Sequence, residues 1–189
     1  MPPIPGGSTF ISHARQIMIR KILLGIIAAA FAGSLSAAWG ADTARQKFIK
    51  EAIQGNLAEV AVGKLAQEKG KSDGVRSFGQ MLATDHSAAN QKATTVANTL
   101  GVTPPTEPNK KQKTTYDKLA KLSGDAFDRE FAKAMVQDHK KDIKEFEKES
   151  KKSDDPAAAF AKETLPTLHK HLETAQSLAS GKTAMGMKH

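Results

Sequence analysis

The sequence predicts an all-α protein built from four long helices, and three observations predict it. After residue 42 there is almost no β signal: Ala, Lys, Glu, Gln and Leu dominate, and apolar residues recur at helical spacing. The chain also says nearly the same thing twice. Phe48–Ala97 and Phe131–Ala179 both open with Phe-x-Lys, reach a Lys-Ser-Asp break, continue to a second Phe and place a His about two to three helical turns beyond it. Between the copies lies a segment with Pro104, Pro105 and Pro108, long enough to cross from one end of a bundle to the other.

The first helix is expected from Thr43 to Lys69, ended by Gly70. Ser72 or Asp73 caps the second, Gly74 to Leu100, which Gly101 stops. The proline-rich stretch Val102 to Lys113 reads as a loop, and Thr114 to Leu122 as a short extra helix ended by Ser123-Gly124. Asp125 can cap the next long helix, which runs to about Lys151. Ser153 or Asp154 caps the last, with Pro156 in its first turn and its end near Gly181. Pro166 falls inside it, shortly before His169 and His171, where a kink is expected. Short turns make each helix pair an antiparallel hairpin. Two hairpins joined by one long B–C crossover carrying a short helix give the ferritin-like four-helix topology. Simple up-down-up-down, with the long segment decorating one end, is the alternative.

Residues 1–40 read as a signal peptide. Arg20-Lys21 precede the apolar run Ile22–Phe31, and small residues follow through Ala41, with cleavage after Gly40 or Ala38. Met18 lies just before Arg20, so residues 1–17 read as an upstream mis-start. The run is short for a spanning helix, so the mature form is expected to have no stable transmembrane segment and to reside in the periplasm or cell envelope. The bundle is expected over residues 41–181, with a flexible tail over 182–189.

Loss of Arg15, Arg20 and Lys21 with the leader lowers the formal charge from +8 to +5, spread over Lys-rich helix faces without interleaved aromatics. That pattern speaks against nucleic-acid binding. There is no cysteine, which excludes disulfides, thiolate metal sites and cysteine nucleophiles. Gly-rich phosphate loops, nucleophile elbows and His-Glu-x-x-His zinc motifs are absent from the sequence, so it points away from an enzyme.

Helical-wheel arithmetic turns four polar residues inward, one on each long helix: Glu59, His86, His139 and His171. His171 is the better inward candidate than His169. Counting from the turns, each hairpin's pair is offset by at most roughly 8–9 Å, so all four lie near mid-bundle. A carboxylate and three imidazoles converging there suit a divalent transition metal ion. Asp85 and Asp138, each preceding an inward His, are expected as further ligands or as outer acceptors that fix a histidine tautomer. The bundle lacks the Glu-x-x-His pairs of di-iron carboxylate proteins, which argues against a ferritin-type oxidase. The same residues are also consistent with a metal-free hydrogen-bonded layer that specifies helix pairing. Met185, Met187 and His189 form a short soft-metal-like tail.

As an ordered set, Asn56-Leu-Ala-Glu59-Val, Gly63-Lys-Leu-Ala66, Phe78, Met81, Asp85-His86, Asp138-His139, Leu165-Pro166 and His171-Leu172 resemble the bacterial family called domain of unknown function 4142. The resemblance spans about Ala41 to Ala179. It implies a ferritin-like four-helix protein of the periplasm or outer envelope, no established catalytic activity, and family-typical positions at Glu59, His86, His139 and His171, accompanied by Asp85 and Asp138. Two functional expectations stand together. One is an exported protein holding a metal ion or small ligand through the Glu/His cluster. The other is a structural or stress-related envelope protein whose polar layer only sets packing, with an envelope protein or a second copy as partner.

Overall fold

Periodic apolar faces and well-placed caps divide the chain into five helices, with no strand among the described residues. The structure is a computed structural model, and residues 43–152 and 155–181 are described. The expected signal peptide, the caps Ser153 and Asp154, and the tail over 182–189 lie outside the described residues. The helices belong to the compact unit Ala44–His189. They are α1 (residues 43–69), α2 (Asp73–Thr99), α3 (Lys110–Ala120), α4 (Gly124–Ser150) and α5 (Pro156–Ala179).

The helix ends follow local chemistry. Ser72 caps α2, its hydroxyl accepting from the Val75 N–H. At the other end Gly101 takes φ +65, letting the Val102 N–H reach the Ala97 carbonyl at 2.8 Å while Val102 is buried. Three expected boundaries move. The short helix begins at Lys110 and not Thr114, because the constraint on the backbone ends with Pro108. Asn109 then forms a capping box with Gln112, at 3.0 Å and 2.8 Å. Ser123, not Asp125, occupies the cap position of α4, where Gly124 has φ +59; Asp125 instead pairs with Lys71 at 2.7 Å. Asp155 caps α5, accepting from the Ala157 and Ala158 N–H groups at 2.7 and 2.9 Å. The helix runs through Pro166 as a single element.

The core divides into two apolar clusters. One gathers Ile49 and Ile53 of α1, Ala93 and Ala97 of α2, Ile143 and Phe146 of α4, and Phe160 and Leu168 of α5. The other gathers Val62 and Leu65 of α1, Val75, Phe78 and Leu82 of α2, Phe127, Phe131 and Met135 of α4, and Ala175 of α5. The order in which each helix meets the clusters gives its direction. Helices α1 and α5 run one way, and α2 and α4 the other. The connection between α2 and α4 starts with Val102 in the first cluster and brings Leu119 of α3 into the second, so it travels the length of the core. Between the clusters each long helix carries buried polar residues: Asn56 and Glu59, His86, His139 and His171.

Helices α1 and α2 cross at two glycines. A Cβ on Gly79 would lie 2.6 Å from the Gly63 carbonyl oxygen and 2.8 Å from the Ala66 Cβ, and one on Gly63 would lie 2.6 Å from the Gly79 carbonyl oxygen. The backbones themselves are in contact, so no rotamer change can relieve an added methyl. Gly79→Ala is expected to cost roughly 1–3 kcal/mol in urea unfolding. Gly55→Ala, whose Cβ would meet nothing nearer than 3.8 Å, is expected to gain up to about 1 kcal/mol through helix propensity. Equal effects at the two sites would remove the close crossing as a determinant of the fold.

Candidate metal centre

Three of the four inward residues meet. One ring nitrogen from each of His86, His139 and His171 lies within 4.8 Å of the others, and the residues are 4%, 2% and 0% exposed. His139 Nε2 and His171 Nδ1 stand 3.3 Å apart. The ring centroids of His86 lie 5.8 Å from those of His139 and 5.3 Å from those of His171.

The outer nitrogens fix the tautomers. His139 Nδ1 lies 3.0 Å from the Met135 carbonyl oxygen, one turn earlier on α4, and must donate to it. His171 Nε2 lies 2.9 Å from Asp85 Oδ2 and donates to that carboxylate. His86 Nδ1 lies 2.9 Å from Asn56 Oδ1 and donates to the amide oxygen. The three nitrogens left over are His86 Nε2, His139 Nε2 and His171 Nδ1. In neutral rings each carries a lone pair. His86 Nε2 is buried with no hydrogen-bond partner.

Burial keeps the rings neutral. It pushes His86 well below the usual imidazole range, with the neighbouring rings adding to the effect. His139 is lowered to about 4 by burial and by His171. His171 is lowered by burial although Asp85 pulls the other way. Two lone pairs therefore face each other across the contact between His139 and His171, with the His86 ring beside them. For a tetrahedral ion at about 2.0–2.1 Å from imidazole nitrogen, ligand nitrogens stand about 3.3–3.4 Å apart. The His139–His171 pair already has that spacing.

Glu59 is not part of the cluster. It is 3% exposed, and its Oε2 is buried with no hydrogen-bond partner. Burial, then the Asp138 charge, holds its proton on well above the usual carboxylate range. Asp85 and Asp138, alike in sequence, differ in role: Asp85 holds His171 across from α2 to α5, whereas Asp138 serves Glu59. His169 is exposed, in keeping with the choice of His171.

Asn56 is the residue that sequence reasoning did not select. The signal was present, because Asn56 aligns with His139 when the two halves of the chain are superposed. Asp142, one turn beyond Asp138, was also passed over. Its side chain is 23% exposed, and burial together with the Asp138 charge pushes its carboxyl up to about 7. The folded chain therefore holds a proton there that the unfolded chain loses near pH 4, and stability falls as pH rises from about 4 through about 7. Asp142→Asn cannot ionise. Relative to wild type it is expected to melt higher at pH 8, by roughly 2–4 °C for each kcal/mol recovered, and nearly unchanged below about pH 4. An equal shift at both values would sink the assignment.

No helix among the described residues is long and apolar enough to cross a membrane. Neither a curated protein nor a solved structure matches the chain. A family profile matches residues 30–178, a span that contains the three histidines and all their partners. By that match the chain belongs to the family described as Domain of unknown function (DUF4142).

Proposed function

We propose that this is an exported, ferritin-like four-helix protein that holds one divalent transition metal ion through His86, His139 and His171. The observation that carries the metal site is the convergence of three imidazole lone pairs whose opposite nitrogens are each held by an acceptor: an amide oxygen, a backbone carbonyl and a carboxylate. Metal-bound histidines characteristically donate their other N–H to groups of this kind, which orients the ring and raises its basicity. An all-imidazole set suits Zn, Cu, Fe or Ni. The widest nitrogen pair, at up to 4.8 Å, closes by about 1.4 Å on reaching tetrahedral spacing.

The ferritin-like arrangement is supported by the parallel course of α2 and α4 and by the connection that runs the length of the core between them. Export is supported by the signal-like residues 1–40. Binding, and not turnover, is the function proposed. A structural or stress-related envelope role has one observation in its favour: the three rings are neutral and each already has a hydrogen bond, as a packing layer requires.

Metal content separates the two readings. Protein produced without a His tag and reconstituted with Zn is expected to retain about one ion per chain by elemental analysis. At free Zn about 100 times Kd, binding to the native state adds ~2.7 kcal/mol of stability and raises Tm by several degrees. His86→Ala/His139→Ala is expected to lose both the ion and the shift. Substoichiometric metal that is the same in wild type and the double variant would falsify the metal site and leave the packing layer. N-terminal sequencing of protein from the cell envelope is expected to begin at Ala41 or Trp39; recovery of the intact N-terminus in the cytosol would overturn export.

A further inference from the structure

With exposures of 4%, 2% and 0%, His86, His139 and His171 are closed to solvent, so an ion needs a way in. On the side of the histidine layer facing α1 and α4, α3 lies over a cleft of about 540 Å³ whose walls carry Glu51, Asp138, Asp142 and Glu145. A second cavity, about 150 Å³, has the buried Glu59 and Met135 in its lining. The two share Lys111, Gln112, Thr115, Asp138 and Lys141, so they are contiguous. The second cavity is lined by two groups that flank His139: Met135 gives it a backbone acceptor, and Asp138 precedes it in the chain.

The carboxylates are graded along this path. Glu51 and Glu145 lie among the outer residues, Asp142 is partly buried, Asp138 lines both cavities, and Glu59 lies innermost. Three lysines also line the cleft: Lys47 lies 3.8 Å from Glu51, Lys141 lies 3.4 Å from Asp142, and Lys111 is an exposed residue of α3. Glu59 is 3% exposed and lines the inner cavity with Oε2 lacking a hydrogen-bond partner. A buried carboxyl oxygen left without a partner costs stability unless it serves something else. Carboxylates bind borderline divalent ions more weakly than a set of imidazoles does, so they can pass an ion on instead of keeping it.

We propose that this cleft is the route by which a divalent cation reaches the histidines, with Asp142 and Asp138 drawing it in beneath α3 and Glu59, exchanging its proton for the ion, delivering it to His139. The inference rests on the metal-binding reading of the histidine cluster. Carboxylates in a low-dielectric cleft focus the field and speed cation capture. A route residue changes the rates of binding and release together and leaves the equilibrium affinity alone, whereas a ligand changes the affinity.

Stopped-flow mixing of the metal-free full chain with Co(II), followed by its d–d absorption, tests this. Asp142→Asn, at a partly exposed position that tolerates the change, is expected to slow binding by about tenfold at low salt and to weaken its salt dependence. Its equilibrium Co(II) affinity is expected to stay within about twofold of wild type. Glu59→Gln, with folding checked by circular dichroism, is expected to slow binding likewise. Wild-type rates in both variants, with normal stoichiometry, would overturn the route and leave the metal site standing. A lower affinity in Glu59→Gln at an unchanged rate would also overturn it, by making Glu59 a ligand. If wild type develops no d–d bands at all, the metal site itself fails and the route with it.

Discussion

Two imidazole nitrogens that both carry lone pairs face each other at 3.3 Å in the middle of this protein, and the arrangement of the core follows from what holds them there. A neutral histidine has one N–H. His139 spends its own on the Met135 carbonyl and His171 spends its own on Asp85, which leaves nothing to place between the rings. Protonating His171 would satisfy the contact but would place a charge at a side chain with 0% exposure. A divalent cation would instead be coordinated by both lone pairs, with the Asp85 carboxylate behind His171 offsetting part of its charge.

That constraint reaches every long helix. Asn56 ties α1 to α2 and Asp85 ties α2 to α5 by hydrogen bonds, and the two facing nitrogens set α5 against α4. Apolar packing alone would tolerate sliding of one helix along another, since Leu, Ile, Val and Phe interdigitate in several registers. Directed hydrogen bonds between buried groups do not. The two apolar clusters lie on either side of this layer, so each long helix is anchored polar at its middle and apolar above and below. The glycine crossing of Gly63 and Gly79 works in the same sense. It brings the α1 and α2 backbones close enough for the short Asn56 side chain to reach His86.

Much of this was legible in the sequence, and the failures have physical causes. Periodicity and caps gave the long helices, and wheel arithmetic turned His86, His139 and His171 inward, because angular position about a helix depends only on residue count. Axial level was less legible. Glu59 lies 11 residues before Gly70 and His86 lies 16 after it, whereas Asn56 lies 14 before. At about 1.5 Å per residue, Asn56 is the α1 residue level with His86, and Glu59 sits roughly one turn nearer the hairpin. The roles of Asp85 and Asp138 were legible only as a pair of alternatives. Adjacent residues on a helix point about 100° apart, so neither aspartate can serve the histidine beside it. Each serves whatever the neighbouring helix presents: His171 in one case, Glu59 in the other.

The internal repeat therefore supplied a symmetric scaffold, and the chemistry arose where the copies diverged. Asn56 and His139 occupy equivalent positions in the two halves. If Asn56 were also an imidazole, four rings would crowd the layer, and His86 would lose the amide oxygen that now fixes its tautomer. With asparagine there, one ring is removed and its place is taken by the acceptor that the remaining three require. Glu59, three residues further along α1, has no acidic counterpart among the inward residues of α4 at the equivalent position, Asp142, which is instead partly exposed on the cleft wall. The divergence thus gathers three imidazoles at one point and leaves Glu59, Asp138 and Asp142 along the neighbouring cavities, an asymmetry that two identical halves could not produce.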